Sequence, residues 1–72
     1  MGRIAALGRE RTIQALAIAG VEMHPAATDA EAVAEWDGLP SDVTVVILTP
    51  QAREAIGARV AERRDVLVTV MP

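Results

Sequence analysis

Gly2-Arg3-Ile4-Ala5-Ala6-Leu7-Gly8, opening on Arg9-Glu10-Arg11-Thr12 and closing with Ala19-Gly20-Val21, decides the fold of this chain. Ile4 to Leu7 is an unbroken apolar run, the mark of a strand covered on both faces. Gly8 then permits a sharp turn. From Thr12 the spacing changes: Ile13, Leu16, Ala17 and Gly20 fall at i, i+3, i+4 and i+7, one face of a helix. Gly20 accepts the left-handed conformation in which helices end. A strand, a turn, a helix and a second strand form the first half of a parallel α/β domain.

Working outward, Val21-Glu22-Met23-His24 alternates apolar and polar residues and closes at Pro25, so it predicts a half-exposed strand at a sheet edge. Thr28-Asp29-Ala30-Glu31 has capping-box spacing and predicts a helix from Asp29 to Trp36. Ala32, Val33 and Trp36 form its inner face, while Glu31 and Glu35 read as a solvated side. Asp37-Gly38-Leu39-Pro40-Ser41 is a loop by its turn residues. Val43 to Leu48, apolar and rich in β-branched residues, is the strongest strand. Thr49-Pro50 places an N-cap residue before a proline in the first helical position. The third helix is expected to bury Ala52, Ile56 and Val60, with Gly57 inside it marking close contact with the sheet. Val66 to Met71 predicts a fourth strand before Pro72.

The order β-α-β-α-β-α-β calls for right-handed crossovers between parallel strands. The two most apolar strands, first and third, belong in the middle, and the alternating second strand at an edge. The expected fold is a single α/β domain over residues 1–72: a four-stranded parallel sheet in order 2-1-3-4, flavodoxin-like, with three helices. Handedness puts the first helix on one face and the other two on the opposite face. Apolar surface near the fourth strand, from alternate members of Val66 to Met71, is then left bare, and its edge is free. Such a surface calls for a partner or for self-association.

Composition narrows the function. Of 72 residues, 51% are hydrophobic and only Trp36 is aromatic, so Ala, Val, Ile and Leu build the core. Net charge is −3 and every basic residue is an arginine, without the basic stripe and interleaved aromatics of a nucleic-acid binder. No apolar run approaches the roughly 20 residues that span a bilayer. Met1-Gly2-Arg3 leads directly into a strand, leaving no room for a signal peptide, and Ala6 stands where myristoylation wants Ser or Thr. The absence of cysteine agrees with a reducing compartment. A soluble cytoplasmic domain is expected.

Ligands of such folds sit beyond the carboxyl ends of the strands, here between Gly8-Arg9-Glu10-Arg11 and Thr49-Pro50-Gln51. A helix N-terminus and two arginines there suit an anion, yet a lone glycine is neither G-x-G-x-x-G nor a P-loop. A phosphoryl-accepting receiver domain needs a carboxylate pair after the first strand and an aspartate after the third. Glu10 supplies one acid and Thr49 replaces the aspartate, which excludes phosphotransfer and leaves a degenerate receiver-like binding module as an alternative. His24 and Glu22 are too few for a metal site of three or four ligands, and His24 reads as an exposed edge residue. Ser41 lies in a loop remote from His24, so no nucleophilic triad forms. No catalytic residue, cofactor or metal is expected, and the chain does not read as an enzyme. The candidate contact residues are Arg9, Glu10, Arg11, Thr12, Glu22, His24, Thr49 and Gln51.

Ile4-Ala5-Ala6-Leu7-Gly8, Glu10, Thr12, Ala19-Gly20-Val21, Val46-Ile47-Leu48-Thr49 and the last strand ending at Pro72 resemble, in order and spacing, the F subunit of V-type and A-type ATPases, a small protein of the rotor stalk. The resemblance covers almost the whole chain. It implies a noncatalytic central-stalk component, cytoplasmic and peripheral to the membrane through its complex. In that family the globular domain docks on a coiled-coil stalk protein. A C-terminal helical tail reaches towards the catalytic ring and modulates the coupling of ATP hydrolysis or synthesis to ion transport. Three departures stand out. Arg9 and Arg11 replace residues that are usually acidic, Ala15 and Leu16 stand where glycine and an aromatic are common, and the sequence reaches Pro72 without the tail. A shortened piece or a natural short form would both give that ending.

Overall fold

Four parallel strands lie side by side in the order β2-β1-β3-β4, where β1 is Arg3–Gly8, β2 Glu22–Pro25, β3 Val43–Leu48 and β4 Leu67–Val70. The α-helices are α1 (Glu10–Ile13), α2 (Asp29–Asp37) and α3 (Pro50–Ile56). This computed structural model describes residues 2–71, with the backbone alone for residues 17–19. The placements expected for Met1, Pro72 and the Ala17 side chain lie outside the described residues.

Strand register explains the layers. Ala5 lies opposite Val46, and Leu7 opposite Leu48. Side chains of a strand alternate between faces, so these four point the same way, and all four are completely buried. They join Ala32 and Trp36 of α2, Ala52 and Ile56 of α3, and Leu39, Val43 and Val66 in one core. Ala6 and Ile13 are equally buried but stand apart from that cluster, on the face that α1 occupies. The first helix and the other two therefore cover opposite faces of the sheet.

The caps form as their spacing indicates. The Thr28 hydroxyl accepts from the Glu31 N–H at 3.2 Å, and the Glu31 carboxylate accepts from the Ala27 N–H at 2.9 Å. The Thr49 hydroxyl accepts from the Ala52 N–H at 3.2 Å. Two helices differ from expectation. α1 starts at Glu10 rather than Thr12, because the Arg9 carbonyl accepts from both Thr12 and Ile13, and it tightens into a 3-10 stretch over Gln14–Ala19. Gly20 ends that stretch at φ +80°. α3 stops at Ile56, and Gly57 is not a point of close contact with the sheet. It adopts φ +57°, and a Cβ placed there would meet nothing within 4 Å. That left-handed conformation breaks the α-helix, and a 3-10 stretch, Gly57–Glu62, carries Val60 back against the core.

One surface remains bare. Leu67 is 68% exposed and Ile4 44%, while Val70, 43% exposed, lies opposite Leu48 and so belongs to the other face. Ile4 lies opposite Val45, and Val45 opposite Leu67, so these three share the face of α1, which packs mainly on β1 and β2. Among the described residues no helix is long and apolar enough to cross a membrane.

Candidate functional site

The end of β1 and the end of β3 meet where the chain leaves the sheet in opposite directions, and a cleft of about 250 Å³ opens there. Gly8 and Thr49 form its floor. Arg9 and Gln51 stand at its mouth, with Thr28 and Asp29 from the start of α2 and Glu54 from α3. Thr49 is only 3% exposed, and its hydroxyl is occupied in capping α3. Gly8 is the residue this packing requires, because a Cβ there would lie 2.2 Å from the Thr49 methyl carbon. The floor is thus closed by protein, and the lining sets two carboxylates against one guanidinium. That balance disfavours an anion. Arg9 borders this cleft, while Glu10, Arg11 and Thr12 follow it as exposed residues at the start of α1 and do not line the cleft.

Glu22 and His24 lie elsewhere, on the β2 edge. Their register opposite Ala5 and Leu7 turns both towards α2 rather than into solvent. His24 is accordingly not an exposed edge residue: its side chain keeps 15% of its surface. Its Nε2 is 3.1 Å from a Glu22 oxygen and its Nδ1 is 3.1 Å from a Glu35 oxygen. Glu35 thus faces the histidine rather than standing on a free solvated side. Glu22 also meets Arg3 at 3.0 Å, and Arg3 donates to Asp42 at 2.8 Å. Five side chains, Asp42-Arg3-Glu22-His24-Glu35, form one polar chain along this edge, ion-paired from Asp42 through Arg3 to Glu22 and hydrogen-bonded at His24. The two histidine nitrogens address carboxylates on different sides of the ring, so the cluster does not converge on a single point. Among the described residues no group of three or more His, Cys, Asp or Glu is placed to hold a metal ion.

The candidate contact residues therefore divide among the cleft (Arg9, Thr49, Gln51), the exposed start of α1 (Glu10, Arg11, Thr12) and the β2 edge (Glu22, His24), and Thr49 offers almost no surface. Arg3, Glu35 and Asp42 escaped the sequence reading. The signal for Glu35 was the strand parity that puts His24 on the face of Leu7, beneath α2.

Charge pairing at the outer end of this chain has a pH consequence. The Arg3 guanidinium, by its hydrogen bond, holds the Asp42 carboxyl below the usual aspartate value, and Asp42 in turn raises Arg3. The hydrogen bond from Arg63 lowers Asp65 in the same way. A carboxyl lowered in the fold releases its proton more readily folded than unfolded. The stability it contributes is present above the ordinary carboxylate range and is lost as pH falls through and below it. Asp42→Asn is expected to lower the melting temperature slightly at about pH 7 and to leave it unchanged at about pH 2, since exposed pairs contribute little. Thermal melts of both proteins at the two pH values check this.

Comparison of the chain with family models, with curated proteins and with solved structures gives no match.

Proposed function

We propose that this chain is a noncatalytic docking domain of the F-subunit type, a central-stalk component of a rotary V/A-type ATPase that binds the coiled-coil stalk protein. What supports this reading is the resemblance through Ile4–Gly8, Ala19–Val21 and Val46–Thr49, carried on a small α/β domain with a four-stranded parallel sheet. The observation that carries it is the apolar face beside α1, where exposed Ile4 and Leu67 flank the half-buried Val45. An amphipathic helix of a coiled coil has the apolar stripe that would cover such a face. In this reading the domain acts as a rigid body that transmits rotation or modulates coupling by contact alone, and Arg9 and Arg11 form the charged rim of the contact.

The test is titration calorimetry of this protein against the coiled-coil stalk protein of the same organism's V/A-type ATPase. A one-to-one complex is expected. Ile4→Glu, which buries a charge in the contact, and the double change Arg9→Glu, Arg11→Glu are each expected to weaken it about tenfold or more. No complex, or a complex indifferent to all three substitutions, would overturn the reading. Inorganic phosphate and ATP serve as the contrasting ligands: micromolar binding abolished by Arg9→Ala would instead favour a receiver-like anion-binding module.

A further inference from the structure

The two edges of the sheet are unlike. β2 is guarded by Glu22 and His24, tied into the polar chain, and ends at Pro25. Charges and proline on an edge are ordinary protection against strand addition. β4, at the other edge, is Leu67-Val68-Thr69-Val70, with no charge, no proline and three strongly β-forming residues.

Backbone orientation at β4 follows from one bond. The Met71 N–H donates to the Leu48 carbonyl at 2.8 Å, so Met71 faces β3. N–H and C=O of one strand residue point to the same side, and the side alternates, so Thr69 also faces β3 while Val68 and Val70 present theirs outward. The side-chain sequence around Thr69 reads Leu67-Val68-Thr69-Val70-Met71, apolar and near-palindromic.

We propose that β4 pairs antiparallel with β4 of a second copy of this chain, about a two-fold axis through Thr69, giving a continuous eight-stranded sheet. Val68 then lies opposite Val70 of the second copy, and Val70 opposite Val68. Each pair exchanges two backbone hydrogen bonds, which accounts for every outward-facing N–H and C=O of Val68 and Val70. Thr69 faces Thr69 in the closer, non-hydrogen-bonded spacing, where paired threonines are favourable. Leu67, the most exposed large apolar side chain, meets Met71. No like charges oppose one another anywhere along the pairing. The near-palindrome makes the strand self-complementary, which is what favours a second copy as the occupant. The contact shares only Leu67 with the face proposed for the stalk helix, because a two-fold normal to the sheet leaves Ile4 and Val45 open on the same side in both copies.

Two four-residue edges bury less than the roughly 800 Å² per partner of a standard interface. The dimer is therefore expected to be weak, with a dissociation constant on the order of 0.1 mM. Sedimentation equilibrium of the intact protein up to about 1 mM should show a monomer–dimer equilibrium. Val70→Pro, which removes an outward donor without touching the bonds to β3, and Thr69→Lys, which sets two ammonium groups face to face, should each weaken it about tenfold or more. Far-UV circular dichroism checks that both variants keep the fold.

The natural absence of cysteine supplies a second measurement that does not depend on a disruptive variant. In Thr69→Cys, two thiols across the axis should oxidise to one disulfide as oxidised glutathione is reduced to two glutathione molecules. The closer antiparallel pair has the Cα spacing that a disulfide accepts. Cross-linking should run about tenfold or more faster than in Ala30→Cys, an exposed position on α2. A strict monomer at every concentration, association that Thr69→Lys and Val70→Pro both leave unchanged, or cross-linking of Thr69→Cys no faster than that of Ala30→Cys would overturn the proposal.

Discussion

Trp36→Ala is expected to leave this domain at the limit of folding. The indole is 2% exposed and is the largest side chain in the core, wedged from α2 into a cluster otherwise made of small aliphatic residues. Replacing such a group removes about 3–5 kcal/mol, part as lost transfer energy and part as the cavity left behind. A chain of this length has a total stability of roughly 4–11 kcal/mol. Collapse refills the space only in part, because no other side chain of the core matches the volume of the indole. The Arg63 guanidinium, 6.0 Å from the ring centroid, loses its aromatic neighbour as well. Urea unfolding followed by circular dichroism, which does not rely on the deleted fluorophore, measures the loss. Trp36→Phe should retain most of the stability. A Trp36→Ala midpoint close to that of the parent protein would show that α2 is anchored by something else.

Gly8→Ala is the second substitution with a large expected cost. The added methyl group would lie 2.2 Å from Cγ2, 2.5 Å from Oγ1 and 2.9 Å from Cβ of Thr49. Rotating Thr49 relieves the first two contacts and not the third. Thr49 is also fixed: its N–H donates to the Leu7 carbonyl at 3.2 Å while its hydroxyl caps α3. Either the ends of β1 and β3 move apart or the cap breaks, so the cost is about 1–3 kcal/mol or more. A double-mutant cycle with Thr49→Ala isolates the clash. Removing Oγ1 and Cγ2 should make Gly8→Ala markedly less harmful, a coupling between the two sites. Strict additivity in denaturant melts would place the strain elsewhere.

Strand order was legible because each strand announces its own surroundings. Ile4–Leu7 is apolar throughout and Val43–Leu48 nearly so, and both lie innermost, while the polar alternation of Glu22 and His24 marks an edge. What alternation does not state is which helix hangs over the polar face. His24 looked exposed because nothing in residues 21–25 reveals that Glu35, from a different element, closes over it. Gly57 was ambiguous for another reason: glycine serves close packing and left-handed backbone equally, and only its φ of +57° separates the two. Thr49 was recognisable as a cap, but the depth at which it sits depends on Gly8, far away in the chain. The cleft had the right location and lacked the right lining, since Asp29 and Glu54 reach it from helices read only for their packing.

The polar chain from Asp42 to Glu35 has a bearing on growth. A sheet with two open margins can add copies without end and produce a fibril. Here one margin is occupied by paired charges and closed by Pro25, so a molecule that has joined another along β4 has no second margin left to offer. Assembly by this route terminates at two, and replacing Glu22, His24 and Pro25 together by β-forming apolar residues would be the change that turns a finite pair into a polymer.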